Sequence, residues 1–156
     1  MPFVEHASQA VLGWGTYLAI GNSAGAVVPP ATDVFVNMVE LISVEPPDEQ
    51  ADDIEVTHFG SPGRTKEYIR GLIDAGEATF GINYQPVANP DAAALVVLRK
   101  SGEIRNIRLV LAGAIETIDF PGYIKGFKRN LGANDAITAD VTLKVAGAVV
   151  SDLDTP

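Results

Sequence analysis

At 156 residues and 16.4 kDa the chain has one-domain length, enough to bury a core without disulfide or metal staples. It has no cysteine, which excludes disulfides, thiolate zinc sites and cysteine nucleophiles, and no apolar run reaches the ~18 residues of a spanning helix. The net charge of −9 is lopsided: residues 1–63 hold nine Asp and Glu and no Lys or Arg, while from Arg64 onward eleven acids balance eleven bases. Such a distribution suits the steering of unlike surfaces and not the neutralising of phosphates.

In chain order, the N-terminus lacks the basic flank and apolar stretch of a secretory signal, so the product is expected to be made in the cytoplasm. The dominant pattern is period-two alternation punctuated by Gly, Pro and Asn. Residues 14–21 read as a first strand, 21–30 as a Gly- and Pro-rich loop, and 34–44 as one long, β-branched strand. The segment 45–53 carries Glu45, Asp48, Glu49, Asp52 and Asp53 with two prolines, and is expected to be an exposed acidic loop. Residues 54–59 alternate and are expected to resume the sheet, with a turn at 60–63. Segment 64–75 reads equally as a short helix or an irregular arm.

Residues 77–84 alternate cleanly, with Ala78, Phe80, Ile82 and Tyr84 on one face and Glu77, Thr79, Gly81 and Asn83 on the other, as a half-buried strand requires. A helix over about 89–101 follows: Asn89 at the cap, Pro90 at the first position, Asp91 in the first turn, Arg99 and Lys100 in the last, and Gly102 to stop it. Strands are expected over 104–111, 115–120, 122–129 and 137–149, the last with Val141, Leu143 and Val145 inward and Asp140, Thr142 and Lys144 outward. Many strands and one short helix give a mainly β fold, a sandwich or barrel of packed antiparallel sheets. Residues 1–150 form a single domain, and 151–156 are expected to fray.

No constellation carries chemistry. Gly21-Asn22-Ser23-Ala24-Gly25 has the spacing of a nucleophile elbow, but Val27-Val28-Pro29-Pro30 cannot supply the helix that must follow. His6 and His58 are the only imidazoles and lack carboxylates at zinc-ligand spacing, so His58 reads as a half-buried hydrogen-bonding residue. Asp52-Asp53 lacks the alternating oxygens of a calcium loop. Residues 60–66 miss the phosphate-loop spacing, and Asp74 with Glu77 has no recognisable glycosidase context. No catalytic, metal or cofactor residue is expected.

Residues 54–86 contain Ile54-Glu55-Val56-Thr57, the turn Ser61-Pro62-Gly63, the run Lys66-Glu67-Tyr68-Ile69-Arg70-Gly71-Leu72-Ile73-Asp74-Ala75-Gly76-Glu77 and the strand Thr79-Phe80-Gly81-Ile82-Asn83-Tyr84. With the 89–102 helix, Arg105 to Leu109, Phe120 to Phe127 and Asp140 to Gly147, this set resembles the tail tube proteins of lambda-like long-tailed bacteriophages over roughly residues 14–149. The resemblance implies a β-sandwich flanked by a helix, with long inter-subunit loops. It further implies a virion structural protein that assembles with itself into hexameric rings stacked as a non-contractile tail tube. That tube would conduct the tape measure protein and then double-stranded DNA, without specific binding, and would meet the tail terminator and the distal tail or baseplate proteins. An inner tube of a contractile tail or a secretion-type tube is the alternative. Some members append an immunoglobulin-like domain, and a chain without one implies a smooth exterior.

On that resemblance, the acids Glu45, Asp48, Glu49, Asp52 and Asp53 are expected to meet basic groups of a neighbour. The candidates are Arg64, Lys66 and Arg70 in the arm and Lys125, Lys128 and Arg129 near a strand end. Glu77, Thr79 and Asn83 are expected to face the channel.

Overall fold

The computed structural model describes residues 10, 12–22, 32–38 and 40–154. Ten strands and one helix follow in the order β1 (Tyr17–Gly21), β2 (Phe35–Asn37), β3 (Leu41–Glu45), β4 (Gln50–Glu55), β5 (Tyr68–Asp74), β6 (Glu77–Asn83), α1 (Pro90–Ser101), β7 (Arg105–Val110), β8 (Thr117–Asn130), β9 (Thr138–Val145) and β10 (Val150–Ser151). All described pairings are antiparallel. The main sheet runs β2-β1-β7-β8-β9-β6-β3 with β10 beside β8, and β4 pairs with β5 as a second, two-stranded sheet.

The main sheet folds over on β8. The first part of this 14-residue strand pairs with β7, from Thr117 opposite Val110 to Gly122 opposite Arg105, and the second with β9, from Gly122 opposite Val145 to Asn130 opposite Thr138. Leu18, Ile20, Ile107, Leu109 and Phe120 from one half and Phe80, Ile82, Val141, Leu143 and Ile124 from the other share one core. Pro121 and Gly122, expected to separate two strands, lie within one. The proline sits where β8 changes neighbours, and its carbonyl accepts the Ala146 N–H (2.8 Å), so the missing donor leaves no gap in the ladder. A Cβ on Gly122 would come within 2.9 Å of the Lys144 carbonyl oxygen, so the crossing needs a residue without one.

Helix α1 ends on Gly102 in the left-handed conformation (φ 67°), whose N–H bonds the Leu98 carbonyl. Asn89 holds the cap position, but its side chain caps nothing; the Ala92 N–H bonds its carbonyl instead (3.1 Å). Leu95, fully buried, and Ala92 set the helix into the core.

Two expectations change. The 34–44 strand is two, because Glu40 takes a left-handed turn (φ 63°) between β2 and β3. Residues 54–59 do not rejoin the main sheet, since β4 begins at Gln50 inside the expected loop and pairs only with β5. Within the expected tail, Ser151 is buried in β10. There the Asp152 N–H bonds the Thr117 carbonyl (3.1 Å), and the Asp152 carboxylate accepts the Thr117 N–H (3.0 Å). The Gly21–Gly25 motif falls largely outside the described residues.

Candidate assembly surfaces

Strands β4 and β5 build an arm that stands off the main sheet. The register sets Ile54 opposite Ile69 on one face and Glu55 opposite Tyr68 and Asp53 opposite Arg70 on the other, and β5 carries an extra residue between Arg70 and Ile73, which brings Ile73 opposite Ala51 on the Asp53 side. Ile54 Cδ1 would lie 3.1 Å from a Cβ on Gly71, so the isoleucine crosses over the glycine and joins the apolar face. Among the described residues neither face of the arm is covered: Ile54, Ile69 and Ile73 are 48%, 54% and 51% exposed, and Leu72 is 85% exposed. The undecided segment 64–75 is therefore largely strand, with a short 3-10 turn at Pro62–Arg64.

Both ends of the arm are ordered by its own polar groups. At the tip, the His58 N–H bonds Ser61 Oγ (3.0 Å), the Glu67 N–H bonds Thr57 Oγ1 (2.9 Å), and the Ser61 hydroxyl bonds the Glu67 carboxylate. His58 is exposed, and its Nδ1 accepts the Gly60 N–H (3.0 Å); the expected hydrogen bonding is present and the expected half burial is not. At the base, the Gly76 N–H (2.9 Å) holds the Asp74 carboxyl below the ordinary aspartate range, with Lys144 (3.3 Å) adding to the effect.

Part of the charge that the sequence distributes across an interface lies within the arm itself. Glu45 ends β3 opposite Thr79, Asp48 and Glu49 fall in the turn before β4, and Asp52 and Asp53 are in β4. Arg64, Lys66 and Arg70 belong to the same arm: Lys66 pairs with Glu55 (3.5 Å), and Arg70 is opposite Asp53. Lys125 pairs with Glu77, whose hydrogen bond raises the lysine above its ordinary pKa. Lys128 is opposite Asp140. Arg129 instead lies over the rings of Tyr84 (5.3 Å) and Phe127 (4.9 Å), and Arg99 of α1 lies over Phe127 as well (5.8 Å). Sequence reasoning assigned Arg99 to the helix dipole; no local pattern tells that Phe127 lies beneath it.

Glu77, Thr79 and Asn83 share the outward face of β6. The register continues that face across β9, with Glu77 opposite Lys144 and Thr79 opposite Thr142. Each lysine there has an acid beside it: Lys125 has Glu77, Lys144 has Asp74, and Lys128 has Asp140 opposite. The face is polar and near neutral. Strands β2 and β3 end the sheet, each with one neighbour among the described residues, and Val36 and Ile42 on them are 42% and 55% exposed. Such edges can accept a further strand.

No group of three or more His, Asp or Glu able to hold a metal occurs among the described residues. Gly21, which opens the elbow-like motif, makes room for a clamp: a Cβ there would fall 2.0 Å from Asp33 Oδ2. That oxygen accepts from buried Asn106 Nδ2 (3.0 Å), while Oδ1 accepts the Asn22 N–H (3.1 Å) and the Val34 N–H (2.8 Å). The groove between α1 and β1–β2 is lined by Ile20, Val36, Met38, Leu95 and Leu98, with Arg105 at its rim. That arginine is committed to Glu103 (2.7 Å) and the Asn22 carbonyl (2.8 Å). The groove offers no nucleophile and base to a substrate. No described helix is long and apolar enough to cross a membrane.

Residues 19–151 match the family model described as "Lambda phage tail tube protein, TTP". Among solved structures, the chain resembles one from the tail of an empty GTA particle refined with helical, C6 symmetry: TM-score 0.70, 14% identity, covering 90% of this chain and 98% of that one. It also resembles the SPP1 tail tube (TM-score 0.63, 11% identity, 91% and 78% covered). A third likeness is to a chain of the PVC sheath-tube complex of an extracellular contractile injection system (TM-score 0.64, 13% identity, 92% and 91%). At these identities the likeness is one of fold. No curated protein sequence matches the chain.

Proposed function

The chain belongs to the lambda phage tail tube protein family, a structural component of the virion, and from this premise we propose that six copies close into a ring and that rings stack into a non-contractile tube. The tube conducts the tape measure protein and then double-stranded DNA, and its ends meet the tail terminator and the distal tail or baseplate proteins. The protein does no catalysis and takes no cofactor; its work is to be a wall.

The observation that carries this reading is the uncovered arm. A lone two-stranded hairpin is marginal in water, yet this one leaves three isoleucines half exposed across its two faces. Contact with a neighbouring copy supplies the missing cover, and the open edges of β2 and β3 supply further joints that are hazards only in a free subunit. A ring of six carries about six times the −9 of one chain, so unlike charges must meet between copies to offset the repulsion. Exposed pairs contribute only ~0.2–1 kcal/mol each; strand pairing and apolar burial provide strength, and charge sets register and partner choice.

In the tube, the outward face bearing Glu77, Thr79 and Asn83 lines the channel. Its near neutrality suits transit, because a wall of unpaired Lys and Arg would hold a phosphate backbone. The fold likeness extends to a contractile system's sheath-tube complex, so fold alone leaves the contractile reading open; the family match favours the non-contractile one. Negative-stain electron microscopy of the purified protein at high concentration tests the proposal. Sheathless tubes of stacked rings are expected, and a chain that stays monomeric in every condition refutes it.

A further inference from the structure

We propose that Arg99 and Arg129, stacked over Phe127 and Tyr84, form the socket that receives the acidic strand β4 of a second copy in the adjacent ring. The inference rests on the tube reading and deepens it by naming the receiving site. Tyr84 and Phe127 meet edge to face (5.7 Å, 72°), and the guanidinium groups lie over this pair from α1 and from β8. Phe127 and Arg129 stand opposite Val141 and Ala139, both fully buried, which places them on the core side of the sheet, away from the face carrying Thr79 and Thr142.

Two features mark the cluster as incomplete. Among the described residues neither arginine forms an ion pair, whereas Arg105, Arg108, Lys66, Lys125 and Lys144 all do; Arg64, Arg70, Lys100 and Lys128 form none either, but only Arg99 and Arg129 combine that with stacking on rings. Arg99 Nε is buried without an acceptor, although buried donors are ordinarily satisfied. Two planar cations held on one aromatic pair are pre-organised for carboxylates, which guanidinium groups grip bidentately.

The occupant follows from charge and position. Glu49, Asp52 and Asp53 are exposed and form no ion pair among the described residues; other acids of the region are engaged, Glu55 by Lys66, Asp74 by Lys144 and Asp48 by Gln50. Strand β6 begins at Glu77, just beyond the arm's last residue Asp74, and ends at Asn83 beside Tyr84. Its seven residues separate arm and socket by about 20 Å. Complementary patches at opposite ends of one subunit cannot satisfy each other within it. They join copies head to tail, the geometry that gives an open, polar polymer.

Charge reversal on each side tests the socket. The wild-type protein is expected to form tubes. Arg99→Glu/Arg129→Glu and Asp52→Lys/Asp53→Lys are each expected to raise the concentration needed for polymerisation by about tenfold or more, since like charges then meet. One chain carrying all four changes is expected to polymerise again near the wild-type concentration. The arm variant alters only exposed residues, and Arg99→Gln/Arg129→Gln, checked by circular dichroism, guards against misfolding of the socket variant. If wild type never polymerises, the tube reading itself fails. If wild type polymerises and the reversals leave its threshold unchanged, or the four-fold variant is no better than either parent, the socket is overturned. It is equally overturned if the glutamine variant assembles normally but loses retention of a short duplex DNA that wild type binds, which makes the cluster a phosphate site.

Discussion

Replacing Ile54, Ile69 and Ile73 together by Thr separates folding from assembly. Fully burying an isoleucine side chain is worth ~1.5–3 kcal/mol. Each of these is about half exposed in the subunit, so covering all three on assembly gains about 2.5–4.5 kcal/mol. Threonine keeps β-branching, and hence strand propensity, along with one methyl, so the triple variant loses about 2–3 kcal/mol of that gain. The critical concentration for tube formation, measured by sedimentation and electron microscopy, is expected to rise ~30–150-fold. The melting temperature of the free subunit is expected to move by only a few degrees, because no core residue is touched. An unchanged critical concentration refutes the claim that the arm is covered by a neighbour. A large drop in subunit melting temperature refutes the claim that it is uncovered beforehand.

Leu95→Ala removes the fully buried anchor of α1 and is expected to cost about 2–5 kcal/mol, lowering the melting temperature by ~5–15 °C in thermal unfolding. Gly122→Ala sets a Cβ 2.9 Å from the Lys144 carbonyl oxygen and 3.2 Å from Ile107 Cδ1 at the fold-over of β8. Paired backbone cannot swing aside, so about 1–3 kcal/mol of destabilisation is expected in urea melts. Asp74 has a folded pKa below its unfolded one, first through the Gly76 N–H and then through Lys144. Its contribution is thus present above the ordinary aspartate pKa and lost as pH falls through the depressed folded value. Lys144→Met is expected to raise the Asp74 midpoint part of the way, the Gly76 N–H remaining, in an NMR titration; an unmoved midpoint removes lysine from the cause.

The elements legible in the sequence are those with one buried face. β6 and β9 alternate because Ala78, Phe80 and Ile82, and Val141, Leu143 and Val145, fill the core while their neighbours face outward. The helix shows through its Pro90 start and Gly102 stop. The arm is illegible for the opposite reason. Tyr68, Ile69, Leu72 and Ile73 satisfy neither period strictly, since neither face of β5 is buried within the chain. The β2–β3 break is hidden inside an apolar run because its turn is made by Glu40, a residue with no turn signature. The continuity of β8 across Pro121 is hidden because a proline there reads as an interruption unless one knows that the strand changes partners. The Arg99–Arg129 cluster joins residues thirty positions apart through Phe127, and only the tertiary fold shows it.

The subunit is incomplete in two ways, and the two lie in different directions. Its sheet stops at β2 and β3, whose edges run along the strands and can be closed by copies side by side. Its arm and its arginine cluster lie near opposite ends of β6, and can be matched only by copies end to end. Were the arm's acids and the two arginines near the same end, a subunit could neutralise itself or pair symmetrically with one partner, and growth would stop at a dimer. Holding them apart by the length of one strand makes every added copy present again what the last one consumed. The same spacing would give the polymer a direction, with an unmatched arm at one end and an unmatched arginine cluster at the other.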